Sequence, residues 1–172
     1  AKRLHVETGN LQFDDLPVLQ DWFADLFELR PSADLSETDR QNLLWCQKLA
    51  SQLVASQEDI RPLHGDLHHD NVMLGDRGYC AFDAKGVLGE RCYELANAMR
   101  NPKGVPSLVC DPVRIRYLAD FWSQSFSVDR RRLLEWAAVK CALSIAWRNG
   151  PELKQDVELD MLSTLLGLVH EC

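Results

Sequence analysis

His64-Gly65-Asp66-Leu67-His68-His69-Asp70-Asn71, followed by Phe82-Asp83-Ala84-Lys85-Gly86, carries the residue types and spacing that phosphoryl transfer needs. Asp66 stands five residues before Asn71, and Asp83 follows Asn71 by twelve. A carboxylate within hydrogen-bond reach of an alcohol positions the hydroxyl and takes its proton late in transfer. An amide oxygen and a second carboxylate are hard donors of the kind that hold magnesium against nucleotide phosphates. Asp66 is therefore the candidate base, and Asn71 and Asp83 are the candidate Mg2+ ligands. His64 is the second candidate of the catalytic loop, placed to orient it through a backbone or carboxylate hydrogen bond. Gly65 lets the backbone approach closely or take a positive φ. Lys85, two residues past Asp83, is a candidate for meeting a phosphate of ATP or the substrate.

Each of these residues has a plainer reading when taken alone. Gly65-Asp66 could be an ordinary turn, His64 a satisfied core histidine, Asn71 an Asx turn entering a strand, and Lys85 a solvated loop lysine. The joint string H-G-D-L-x-x-x-N is what favours chemistry, because five fixed positions rarely coincide. A zinc reading of the crowded His64, Asp66, His68, His69 and Asp70 is weaker, since the spacing supplies neither a helix face nor paired turns.

The elements that must position these groups follow from periodicity. Val72-Met73-Leu74 and Tyr79-Cys80-Ala81-Phe82 read as two short strands joined by the loop Gly75-Asp76-Arg77-Gly78. In such an antiparallel pair Asn71 and Asp83 stand at neighbouring ends, so the two candidate ligands converge. The rest reads as helix. Residues 12–30 place Leu16, Leu19, Trp22, Phe23, Leu26 and Phe27 on one face, and Pro31 ends them. Ser36 and Asp39 form a capping pattern that opens a helix to about Gln57. Further helices are expected over 91–100, 112–126, 129–148 and 152–169, with breaks at Asn101-Pro102-Lys103-Gly104, Ser127 and Asn149-Gly150-Pro151. The helix from Asp129 is apolar through its middle and is expected at the centre of the core. The fold class is thus α+β, predominantly α-helical with a small β-hairpin, in one domain spanning 1–172.

Composition sets outer bounds. The chain has 172 residues, 46% hydrophobic and 26% charged, which suits a globular protein with a real core. A net charge of -7 argues against nucleic acid as a partner and mildly favours a cationic one. No apolar run approaches the ~20 residues of a membrane span. No secretory leader is visible, so a cytoplasmic setting with reduced cysteines is expected. The chain begins at Ala1, which points to a processed product or an excised piece.

From Leu63 to Pro102 the sequence resembles the aminoglycoside phosphotransferase family of the kinase-like fold, in the branch of streptomycin 6-kinases and hydroxyurea phosphotransferases. The residues that carry the resemblance are Leu63 to Val72, Asp83 to Glu90, Tyr93-Glu94-Leu95-Ala96 and Met99-Arg100-Asn101-Pro102. It implies an ATP- and Mg2+-dependent antibiotic-type kinase acting on a small-molecule hydroxyl, with Asp66 as base and Asn71 and Asp83 on the metal. Gly65, where protein kinases carry arginine, and the lack of an A-P-E triplet agree with a small-molecule acceptor. The chain departs from the family by having Ala84 where D-P-K-G is common, and Glu90 and Glu94 where aspartates are. A glycine-rich strand-turn-strand and a strand lysine are missing before Asp66. The resemblance therefore implies a C-terminal lobe without its nucleotide-clamping N-terminal lobe, inactive alone and able to self-associate through the uncovered surface. Helices after residue 112 are expected to line the acceptor pocket and to offer acidic side chains to a cationic aminoglycoside. A pseudokinase-like binding module is the alternative from another class.

Overall fold

The structure, a computed structural model, describes residues 4, 5, 13, 15–76 and 78–172. Two short helices, α1 (Leu19–Trp22) and α2 (Ala24–Glu28), stand where one helix over 12–30 is expected. Residues 12 and 14 of that expected helix lie outside the described residues. Pro17 explains the late start: it disfavours helical backbone at Leu16, and its carbonyl accepts a hydrogen bond from Leu88 N at 2.8 Å instead. Leu19, Phe23 and Leu26 are fully buried, so the predicted apolar face survives the break.

After β1 (Arg30–Pro31) the capped helix forms as expected, as α3 (Glu37–Ala55). Ser36 Oγ accepts from Asp39 N at 3.1 Å and satisfies one of the helix's unpaired donors. Three elements around the candidate loop follow: β2 (Ile60–Leu63), the hairpin β3 (Val72–Gly75) with β4 (Gly78–Ala81), and β5 (Val87–Glu90). The hairpin has the expected strands. Its register pairs Gly75 with Gly78, so both glycines of the expected loop belong to the strands; Arg77 lies outside the described residues.

The sheet content exceeds the single hairpin expected. β2 pairs antiparallel with β5, Ile60 opposite Glu90 and Leu63 opposite Val87. β1 pairs in parallel with a second two-residue strand, introduced below.

The helical remainder comprises α4 (Arg91–Asn97), a 3-10 turn (Ala98–Arg100), α5 (Pro106–Val109), α6 (Pro112–Phe126), α7 (Arg130–Asn149), β6 (Glu152–Leu153) and α8 (Leu159–His170). The last helix starts seven residues later than expected. Leu153 is drawn into the ladder with Pro31, and Asp156 caps the following turn by accepting from Glu158 N at 2.9 Å. α7 is the central helix, as its composition predicts: Leu133, Leu134, Trp136 and every residue from Ala137 to Ala146 are buried. α2, α3, α4, α6 and α8 all pack on it. Among the described residues no helix is long and apolar enough to cross a membrane. The hairpin leaves Met73, Leu74 and Tyr79 largely exposed.

Candidate active site

The loop between β2 and β3 is held from two sides. From one side the segment after β4 laces onto it. Phe82 N donates to Asn71 O at 3.1 Å, and Lys85 N and Gly86 N donate to His64 O at 2.8 and 3.2 Å. The Phe82 carbonyl accepts from His64 Nε2 at 2.8 Å. With Nε2 carrying the proton, Nδ1 is free to accept from Asp66 N at 3.3 Å. His64 therefore ties the backbone of Asp66 to the segment that carries Asp83, which is the orienting role its position suggested.

From the other side, buried Glu94 of α4 grips the same loop. Its carboxylate accepts from His64 N at 2.5 Å, Gly65 N at 3.3 Å and Leu67 N at 3.3 Å. A buried carboxylate is costly unless paired or hydrogen-bonded, and these amide donors supply that compensation. Gly65 sits here at φ +85°, and a Cβ on it would lie 2.8 Å from the Trp22 ring. Only glycine fits such a position without displacing a wall of the site.

Asp66 is oriented by a residue that sequence reasoning missed. Asn97 Nδ2 donates to Asp66 Oδ1 at 3.0 Å, and its own Oδ1 accepts from Arg100 Nη1 at 3.4 Å. Arg100 is in turn held by both oxygens of Glu158 at 2.7 and 2.8 Å. The available signal was a polar residue on the apolar stripe of α4, where Glu94 and Asn97 interrupt Leu95, Ala96 and Met99. The second oxygen of Asp66 lies 3.7 Å from His68 Nε2, and about a third of the side chain stays exposed.

Asn71 is buried and donates through Nδ2 to Asp66 O at 2.9 Å. Its amide oxygen takes no hydrogen bond among the described residues. Asp83 holds a left-handed backbone, φ +56°, a conformation that costs about 1–3 kcal/mol in a non-glycine residue and tends to persist at functional sites. Lys85 Nζ donates to Asp83 Oδ2 at 2.8 Å. That bond, and then its charge, hold the Asp83 carboxyl below its usual range, with His64 and His68 adding to the effect. The Asn71 amide oxygen and the exposed Asp83 carboxylate are both hard oxygen donors of the kind that suits a divalent cation, and the Phe82 N–Asn71 O bond sets their segments side by side. Lys85 meets Asp83 itself, so any phosphate contact it makes is shared with that pair.

The zinc alternative reduces to His68, His69 and Asp70, whose ligand atoms lie within 4.8 Å of one another. His64 and Asp66 stand outside that group, and His69 and Asp70 are exposed positions of one short turn.

A cavity of about 280 Å³ opens beside Asp66, walled by Trp22 and Gly65 on one side and by Lys140, Ser144, Trp147 and Arg148 of α7 on the other. A helix after residue 112, α7, thus lines this cavity. Among the described residues that line it Asp66 is the one carboxylate, while Lys85, Arg100, Lys103, Lys140 and Arg148 supply cations, so this cavity does not have the acidic lining expected of an acceptor pocket. The acidic partners exist one layer out, where Glu158 and Asp156 neutralise Arg100 and Arg148. A second cavity of about 290 Å³ shares Arg100, Lys103 and Arg148 with the first and is walled by Val109, Val157 and Met161.

Residues 1–150 match the family described as aminoglycoside/hydroxyurea antibiotic resistance kinase. The chain is similar to streptomycin 3''-kinase of Klebsiella pneumoniae, 36% identical over 155 residues, which is 87% of this chain and 55% of the relative. The chain therefore spans about half the length of the curated relative it matches. No solved structure matches the chain.

Proposed function

The chain belongs to the aminoglycoside/hydroxyurea antibiotic resistance kinase family, and from that premise we propose that it is the catalytic-loop lobe of a phosphotransferase that moves the γ-phosphoryl group of ATP to a small-molecule hydroxyl. The observation that carries this reading is the pinned carboxylate of Asp66. Asn97 fixes one oxygen, His64 and Glu94 fix the backbone, and the carboxylate borders a cavity large enough for part of a sugar-sized acceptor.

Each residue then has a task. Asp66 accepts a hydrogen bond from the acceptor hydroxyl, aims its oxygen, and receives its proton as the O–P bond forms. Asn71 and Asp83 would hold Mg2+, which when bound neutralises charge on the nucleotide phosphates. Lys85 keeps Asp83 ionised and offers its remaining N–H groups to a phosphate. Trp22 and Trp147 wall the acceptor and keep water from competing as nucleophile. The adjoining apolar cavity would take the rest of a bulky acceptor.

The exposed Met73, Leu74 and Tyr79 of the hairpin are the surface that a nucleotide-clamping lobe would cover. On this reading the lobe alone transfers no phosphate and self-associates through that face.

The test is a screen of ATP-dependent transfer by the full-length parent across streptomycin, hydroxyurea and other hydroxyl compounds. Phosphorylation of one or more of them is expected. ATP binding with no transfer to any hydroxyl compound would refute the reading in favour of a non-catalytic kinase-like module.

A further inference from the structure

One buried charge has no part in the chemistry above. Lys140 lies in the middle of the central buried helix and is 2% exposed, yet it lines the cavity beside Asp66. Its Nζ donates to the Tyr93 hydroxyl at 2.6 Å. It also sits over three aromatic rings, 4.6 Å from the centroid of Tyr93, 4.9 Å from Trp147 and 5.5 Å from Trp22. Such a cage is the usual receptor for a ligand's ammonium group; here the chain fills it with its own. No carboxylate pairs with Lys140 among the described residues. Burial, and then the facing Arg100 and Lys103, oppose its charge, the facing Asp66 and Glu94 favour it only in part, and the pKa is lowered to about 7. An ammonium with one hydrogen-bond partner, set against a cavity, has further N–H groups to offer a ligand.

We propose that Lys140 reads the acceptor: it donates a hydrogen bond to an uncharged oxygen next to the hydroxyl that Asp66 orients, and by filling the Trp22–Tyr93–Trp147 cage it excludes ammonium and guanidinium groups from that place. The inference rests on the phosphotransferase reading and sharpens it. The acceptor class is a hydroxyl flanked by a carbonyl, ether or second hydroxyl oxygen. Any cationic group on the same molecule lies away from the cage.

Two measurements test it. In the full-length parent, transfer to cis-1,2-cyclohexanediol is compared with transfer to 2-aminocyclohexanol, which replaces the flanking oxygen by an ammonium. Wild type is expected to prefer the diol. Lys140→Met is expected to raise KM for the diol roughly 10- to 100-fold with kcat changed far less, and to lose the preference against the amino alcohol. Lys140→Gln, which keeps a donor, is expected to recover most of the diol KM. An unchanged diol KM in both folded variants would overturn the proposal. In the chain itself, tetramethylammonium is titrated against the fluorescence of Trp22 and Trp147. Wild type is expected to give no saturable response and Lys140→Ala a saturable one; saturable binding by wild type would overturn the claim that the cage is filled. Failure of wild type to phosphorylate any alcohol would overturn the phosphotransferase reading instead, and the fluorescence arm would then decide the cage assignment alone.

Discussion

Replacing Lys140 by methionine should change how stability depends on pH, and the size of the change can be worked from the structure. Burial lowers this lysine from 10.5 to about 7, and the Asp66 and Glu94 carboxylates only partly offset that. Between those two values the unfolded chain binds a proton that the folded chain has lost. Stability therefore rises as pH increases through this window, and the full penalty remains below pH 7, where both forms are protonated. At 1.36 kcal/mol per unit the penalty at low pH is at most about 5 kcal/mol, of which about 2 kcal/mol is relieved between pH 7 and pH 9. Methionine keeps the length and apolar bulk of the stem without the charge. The buried thiols of Cys46, Cys92 and Cys141 are raised by desolvation and pull the opposite way above their ordinary range. They are present in both proteins and cancel in the difference. Urea unfolding followed by far-UV circular dichroism at pH 7 and pH 9 should show wild type gaining about 2 kcal/mol over Lys140→Met. Parallel behaviour of the two proteins would mean that Lys140 is solvated or ion-paired, and the cage description would be wrong.

Other perturbations give separable outcomes. Gly65→Ala forces a Cβ to 2.8 Å from Trp22 at a positive φ; it should cost roughly 1–3 kcal/mol in urea unfolding, and unchanged stability would mean the loop is not packed against that ring. Glu94→Gln exchanges one accepting oxygen for an NH2 group that faces backbone N–H donors. A loss of about 2–4 kcal/mol is expected, with faster hydrogen exchange at Gly65 and Leu67; slow exchange at both would dismiss Glu94 as the clamp. Asn97→Leu frees Asp66 Oδ1 and should lower kcat in the full-length parent roughly 10- to 100-fold without moving the KM for ATP. An unaltered kcat would show that Asp66 needs no such support.

Much of the architecture was legible because its signals are local. The Ser36 cap, the apolar centre of α7 and the hairpin strands each declare themselves within a few residues, and the hairpin sets the segments of Asn71 and Asp83 side by side through Phe82 N on Asn71 O. What stayed hidden is non-local. The pairing of Arg30–Pro31 with Glu152–Leu153 joins distant parts of the chain through two residues a side, too short for any alternation. The strand Ile60–Leu63 contains Pro62, which has no N–H to give a ladder. With a partner on one side only, the missing N–H of proline can face away from the ladder. The helix expected across Pro17 gave way because the backbone there bonds to Leu88. In the site, the string from His64 to Asn71 marked the loop that borders the cavity, while Glu94 entered only through the resemblance and Asn97 and Lys140 drew no reading at all. Their mark was polarity at positions that periodicity assigns to the core, and burying such groups requires partners. The acidic acceptor lining was expected from the resemblance to aminoglycoside kinases, with a net charge of -7 in its favour, and neither says where charge sits. The carboxylates near the cavity are spent on Arg100 and Arg148.

The account stands most directly on the carboxylate of Asp66. Full-length parent and its Asp66→Asn variant should be compared for ATP-dependent phosphorylation of a hydroxyl acceptor at saturating ATP, with unfolding curves confirming equal stability. The amide can still be held by Asn97 and still border the cavity, but it cannot take a proton, so a fall in kcat of roughly 10²–10⁴-fold is predicted with the KM for ATP preserved. A variant that transfers phosphate at the wild-type rate would contradict the assignment.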